Sequence, residues 1–243
     1  MNTIIESLMN RKSVRVFEKK EISKENKAMI LKAATNAPTA GNQQLYTILD
    51  ITDQAIKDQL AITCDNQPFI ATAPMALIFC ADVKKWHDAF IEADANPRQP
   101  GVGDLLLAVS DANIAAQNAV VAAESFGIGS CYIGDIMENR EEHKKLLNLP
   151  DWVFPAAMLV FGYPTQQQIE RKKPQRVDMP YIVHENGYQP LTGQQLREMF
   201  DNKTGNKTYE EWMQAFCERK YNSDFSQEMT RSVLAYLKEF IEK

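Results

Sequence analysis

The chain has 243 residues, 44% of them hydrophobic and 24% charged, with a net charge of −5; this suits a globular protein with a sizeable core and argues against a nucleic-acid partner, which needs clustered Lys and Arg. Its four cysteines, Cys64, Cys80, Cys131 and Cys217, show no CxxC spacing, and the stretch Met1–Met9 is too short and polar for an export signal, so they read as reduced thiols of a cytoplasmic protein. The least charged stretch, Asn113–Ala123, is too short for a bilayer and contains Gln117 and Asn118, so no membrane partner is expected.

Thr3 to Met9 has a short helical pattern that leads into Arg11. Ser23 is an N-cap for a helix over Lys24–Asn36, whose stripe is Ile30, Leu31 and Ala34 and which Pro38 ends. A small polar loop, Thr39 to Gln44, precedes a strand over Tyr46–Ile51, and a helix over Gln54–Cys64 follows. The apolar runs Met75–Ala81 and Ala156–Gly162 read as buried strands, with Ser130–Gly134 a shorter one. Between them an alanine-rich helix over Asp104–Phe126 stops at Gly127 and Gly129, either as an ordinary core helix or at a subunit contact. The charged segment Lys84–Arg98, with Trp86, Phe90 and Pro97, reads as an amphipathic surface helix or as a mobile aromatic lid. Gln166 to Tyr188 is irregular and basic, and two helices are expected to close the chain. The last of these has Met229, Val233, Leu237, Phe240 and Ile241 on one face. One α+β domain with a C-terminal helical extension is the economical organisation.

Several chemistries lack a motif here. Gly101-Val102-Gly103-Asp104 does not continue into a Rossmann or Walker loop, and there is no GxSxG elbow. His87, His143 and His184 are far apart and outside any metal-ligand pattern, so no metal is expected. With no side-chain nucleophile or catalytic acid–base pair in view, enzymatic chemistry here falls to a cofactor. One constellation does stand out. Arg11, Ser13 and Arg15 alternate along an extended stretch and so point to one side. Two forked guanidinium groups around a hydroxyl make an anion cradle, although the triplet alone is more often a solvated basic face.

Its surroundings add weight. The stretch Ile5–Phe17 (IESLMNRKSVRVF), the loop Ala37–Gln44 (APTAGNQQ), Gly127–Gly134 (GIGSCYIG), Val160–Pro164 (VFGYP) and Lys173–Arg176 (KPQR), in that order across about residues 1–190, resemble the FMN-dependent nitroreductase family. The resemblance implies a nitroreductase-like α+β fold whose central, mainly antiparallel sheet is flanked by helices. It also implies an intertwined homodimer with two FMN sites at the interface. Residues 1–190 would form the FMN-binding domain and 191–243 a helical extension of it.

By the same resemblance Arg11, Ser13 and Arg15 hold the phosphate, the ribityl chain and the pyrimidine edge, with Arg15 reaching the ring. Lys173 and Arg176 close over the phosphate, with Lys172 the alternative in that pair. Pro38, Thr39, Ala40 and Asn42 come from the other subunit to line the ring, Ala40 by its backbone. Gln67, ahead of Phe69 and Ala73-Pro74, bonds the polar side of the flavin through its amide. Tyr132, Ile133 and Gly134 pack on the opposite ring face, although Tyr132 and Ile133 suit simple core packing equally well. The implied activity is a ping-pong exchange in which NAD(P)H gives two electrons to FMN and a small-molecule acceptor, a nitroaromatic, quinone or flavin, then takes them. The alternatives are an FMN-binding protein of the same fold with other, dehalogenase-like chemistry, or a flavin-sequestering protein without turnover.

Overall fold

This computed structural model describes residues 2–241, so the first residue of the expected 1–190 domain and the last two of the 191–243 extension lie outside the described residues. Four strands, β1 (Tyr46–Asp50), β2 (Met75–Asp82), β3 (Gly129–Ile133) and β4 (Val153–Gly162), form an antiparallel sheet in the order β1-β2-β4-β3. The two long apolar runs become the central strands β2 and β4. Every residue of both is buried, because helices cover both faces. Side chains alternate between two cores. Leu77, Phe79, Leu159 and Phe161 belong to one, while Ala76, Ile78, Met158 and Val160 belong to the other. The β2–β4 register slips at Phe79/Cys80, where Pro155, with no N–H for the ladder, sits opposite Cys80.

The helices are α1 (Thr3–Asn10), α2 (Lys24–Thr35), α3 (Gln54–Thr63), α4 (Phe69–Thr72), α5 (Lys84–Glu92), α6 (Val102–Ser125), α7 (Arg140–Leu146), α8 (Gln166–Glu170), α9 (Gly193–Thr204), α10 (Tyr209–Lys220) and α11 (Asp224–Lys238). Ser23 caps α2 by accepting from the Asn26 N–H, and Ile30 and Ala34 are the buried residues of its stripe. The long helix α6 lies in the first core through Leu105, Ala108, Ala112, Ala115, Ala116, Ala119, Val120 and Ala123. By length and composition it could cross a bilayer; its alanine face is instead packed on the sheet. It ends at Gly127 with φ +69°, and the Ile128 N–H bonds back to the Ala123 carbonyl at 3.0 Å.

The C-terminal region departs from expectation. Three helices form there rather than two, because Gly205 at φ +60° ends α9 and Thr208 opens α10 with a capping box to Glu211. The apolar face expected on the last helix forms in large part: Val233 and Leu237 pack half-buried on the first core and Phe240, just past α11, is buried in it, whereas Ile241 is 66% exposed. Ser232 and Tyr236 are the fully buried residues of α11. Tyr236 packs edge-on against Phe154 at 5.0 Å beneath the Arg140 guanidinium. Beyond it Glu239 accepts from Arg140, Lys144 and the Trp152 N–H, and its carbonyl accepts from the Trp152 indole at 2.8 Å. Polar contacts thus hold the chain end alongside its apolar stripe. Residues up to Arg171 and those from Glu228 on form one compact unit, and Lys172–Gln227 form a second.

Candidate functional site

The Arg11–Arg15 stretch is fixed to β3 through its inward residue. Val14 is buried, and its N–H donates to the Ser130 carbonyl at 2.9 Å, while Ser13 forms an isolated parallel bridge with Ser130 on β3. A Cβ at Gly129 would lie 2.5 Å from Val14 Cγ2, so this approach exists only because residue 129 is glycine. Gly162 admits Phe17 in the same way, since a Cβ there would lie 2.6 Å from Phe17 Cδ1. With Val14 inward, alternation places Arg11, Ser13 and Arg15 on the opposite side.

Arg11 extends over the Tyr132 ring at 5.7 Å and makes a long contact, 3.5 Å, to Ser130 Oγ, while its Nε is buried without a hydrogen-bond partner. Arg15 lies over the Phe69 ring at 5.9 Å, next to the Gln67 segment, and its N–H donates to the side chain of buried Gln168 at 3.3 Å. Between them sits the Cys131 thiol. Burial pushes it up, and Arg15, Ser13 and Arg11 pull it back. Burial likewise lifts the Tyr132 phenol to about 12 against the pull of Arg11, and raises Glu124 with Arg11 opposing. Positive charge thus gathers on one side of β3. Two guanidinium groups with unspent donors and a hydroxyl fit the phosphate and polar chain of FMN.

The strand is also clamped from α8. Lys12 Nζ donates to the Ile169 carbonyl at 2.6 Å and to that of Arg171, and the Arg171 guanidinium donates to the Ser13 carbonyl. Lys12 and Arg171 escaped the sequence reading because their partners are backbone carbonyls, which no motif marks. Lys173 and Arg176, the basic pair singled out instead, lie in the second unit.

Several expected flavin contacts have other duties. The Ile133 side chain is 1% exposed and belongs to the second core, which leaves only its backbone for a ligand. Tyr132 is half-buried, and its hydroxyl donates to Gln117 at 3.3 Å. Gly134 is exposed, and a Cβ there would make only an ordinary contact with Met137, so close packing does not require this glycine. Gln67 gives its amide to the Cys64 carbonyl at 2.8 Å, and that bond holds the turn into α4. The Thr39 hydroxyl donates to Asp111 on α6 and accepts from the Gln44 N–H at 2.8 Å, so it is spent inside its own subunit. Pro38, Gly41 and Asn42 are exposed. Among the described residues, no hydrogen bond or ring contact joins the 38–42 loop to Arg11, Ser13 or Arg15.

Asp111 is the residue that sequence reasoning passed over. It is 3% exposed on α6 and accepts from Thr39, from the Ala40 N–H at 3.0 Å and from the Leu45 N–H at 3.2 Å. A signal was available, since it is the one acid inside the alanine-rich run between Asp104 and Glu124, and an acid in such a place needs partners. The segment 84–98 proves to be helix α5 followed by coil. Trp86 donates its indole N–H to the Gln43 carbonyl at 2.7 Å, and with Phe90, Pro97, Pro100 and Leu107 it lines a cavity of about 440 Å³.

Comparison with known proteins gives concordant results. Residues 8–163 match the model of the Nitroreductase family. An FMN reductase [NAD(P)H] of Bacillus subtilis (strain 168) is 31% identical over 91% of this chain and 93% of its own. An oxygen-insensitive NADPH nitroreductase of Salmonella typhimurium is 33% identical over 87% and 88%. The solved structure of the NADPH:FMN oxidoreductase from Vibrio harveyi, complexed with NAD+, superposes with a TM-score of 0.82 at 25% identity, covering 97% of this chain and 98% of that one.

Proposed function

From the premise that the chain belongs to the Nitroreductase family, we propose how its own residues serve an FMN-dependent oxidoreductase that moves two electrons from NAD(P)H to a small-molecule acceptor. The observation that carries the assignment to particular residues is the one-sided donor set of Arg11, Ser13 and Arg15, held on β3 by Val14. When bound, FMN supplies the redox chemistry, accepting the pair of electrons and passing it on. Arg11 and Ser13 bind the phosphate end. Arg15 places its charge at the polar edge of the ring, where it favours the electron-rich state. Lys173 and Arg176 join as phosphate ligands on the family resemblance alone. Gln67, Tyr132, Ile133 and Gly134 meet the ring, Ile133 through its backbone.

Pro38, Thr39, Ala40 and Asn42 serve the site of a second copy, which makes the working unit a homodimer. Exposed apolar side chains on α6 (Leu106, Leu107 and Ile114) and on α1 (Ile4, Ile5 and Leu8) support that reading, since single-subunit folding leaves them in water. Nitroaromatics, quinones and flavins are the acceptor classes we assign. A cytoplasmic setting accords with the exposed free thiol of Cys217.

Purified protein should be yellow and release FMN on denaturation. NADPH or NADH should bleach the bound flavin, and an acceptor should restore its colour. Bound FMN that neither nicotinamide reduces would instead show a sequestering protein, and a colourless protein that cannot be reconstituted would refute flavin binding altogether.

A further inference from the structure

A single buried carboxylate gathers both ends of the loop that the proposed function places against the partner's flavin. Asp111 Oδ1 takes the Ala40 N–H, while Oδ2 takes the Leu45 N–H and the Thr39 hydroxyl. The Thr39 oxygen in turn holds the Gln44 N–H, and the Gln44 side chain donates to the Thr35 carbonyl at 2.9 Å. Between these anchors Gly41, Asn42 and Gln44 all have positive φ, at 55°, 57° and 51°. For the two non-glycines this is a sparsely occupied region that persists only when surroundings over-determine it. The anchors lie on the inner side of the loop, while Pro38, Gly41 and Asn42 are exposed on the outer side.

The chemistry requires a carboxylate. It offers two acceptor oxygens and no donor, whereas an amide of the same shape offers one acceptor and two N–H groups. Three neutral donors compensate the charge of Asp111. The cation that feels it, Lys85, is itself bound to the Tyr46 carbonyl at 2.6 Å, and burial lowers its ammonium while Asp82 and Asp111 raise it. A desolvated acid on an alanine-rich helix is costly, and here the three hydrogen bonds it accepts all come from one loop. That loop thereby becomes an extension of α6, the same helix that turns Leu106, Leu107 and Ile114 to the proposed partner.

We propose that Asp111 is a positioning residue of the flavin site: it holds the Thr39–Leu45 loop in one strained conformation and ties that loop to the helix of the subunit contact. The proposal rests on the flavin-reductase reading for its consequence, but the clamp can be read without flavin. Asp111→Asn is the first test. In protein stripped of FMN, the Ala40 and Leu45 amides should lose about tenfold or more of their protection from hydrogen exchange, while the interior amides of α6 keep theirs. In FMN-loaded protein, Kd for FMN should rise about tenfold, the visible circular dichroism of the flavin should change, and kcat should fall more than KM.

Thr39→Val, which deletes one donor of the three, should move each readout the same way by less, and it carries the test if Asp111→Asn does not fold. Unchanged exchange at Ala40 and Leu45 overturns the clamp. Lost protection with unaltered Kd, dichroism and kcat overturns the positioning role. Wild-type protein that binds no FMN fails the functional reading and removes this role with it; the exchange data then show which of the two claims has gone.

Discussion

Arg15 is held by its backbone, through Gln168 and the neighbouring Val14 bond, so its side chain can be removed without moving the strand. Arg15→Ala should therefore leave FMN bound but slow flavin reduction by NADPH about ten- to a hundredfold in stopped-flow traces, the scale of a lost charge at a developing anion. Unchanged reduction at full occupancy would refute its place at the ring. Glu138 tests a different kind of residue. It is 5% exposed, its Oε1 is buried without a partner, and burial together with Asp135, Asp65 and Glu228 lifts its carboxyl from 4.5 to about 7. The folded state then holds this proton more tightly than the unfolded one. Its contribution is fully present below pH 4.5 and is lost as pH rises through about 7. Glu138→Gln should accordingly raise Tm at pH 8 relative to the parent and leave it near the parent at pH 4.5, as followed by thermal melts. A parallel shift at both pH values would contradict this account.

At the level of elements, two close contacts shape the cradle. Gly129→Ala forces a Cβ to within 2.5 Å of Val14 Cγ2 and should destabilise the protein by about 1–3 kcal/mol in denaturant titration while weakening FMN binding. Tyr236→Phe goes the other way. The phenol is fully buried and its hydroxyl lacks a partner, so the substitution should be neutral or stabilising by about 1 kcal/mol. The strands were legible because β2 and β4 are continuous apolar runs, and α2 because Ser23, its stripe and Pro38 agree. The face of α11 was legible in part: Val233, Leu237 and Phe240 pack on the first core as the stripe requires, but Ser232 and Tyr236 share the buried side through Phe154, Arg140 and Glu239, contacts that apolar periodicity does not mark. The Arg11–Arg15 cradle was legible only in company: alternation gave its direction, but the need for Gly129 to admit Val14 is a long-range contact that local pattern does not carry.

At the scale of the whole molecule, the proposed site needs two copies. Leu106→Lys combined with Ile114→Lys should yield a monomer by sedimentation and raise Kd for FMN about tenfold or more, because charge cannot be buried unpaired in an apolar contact. A monomer that retains FMN at parental affinity would sink the interface site. That pair of substitutions leaves the core untouched, since both side chains are exposed in one chain, at 61% and 40%. The order of the chain has a further consequence. The first unit is completed by residues from Glu228 on, after the excursion Lys172–Gln227. Asn139 donates to Glu228 and Arg140 to Ser232, while Glu239 gathers Arg140, Lys144 and Trp152. A protease that cuts within Lys172–Gln227 would therefore leave two fragments that stay together, nicked on a gel yet intact in solution, with the tail behaving as a subunit in its own right.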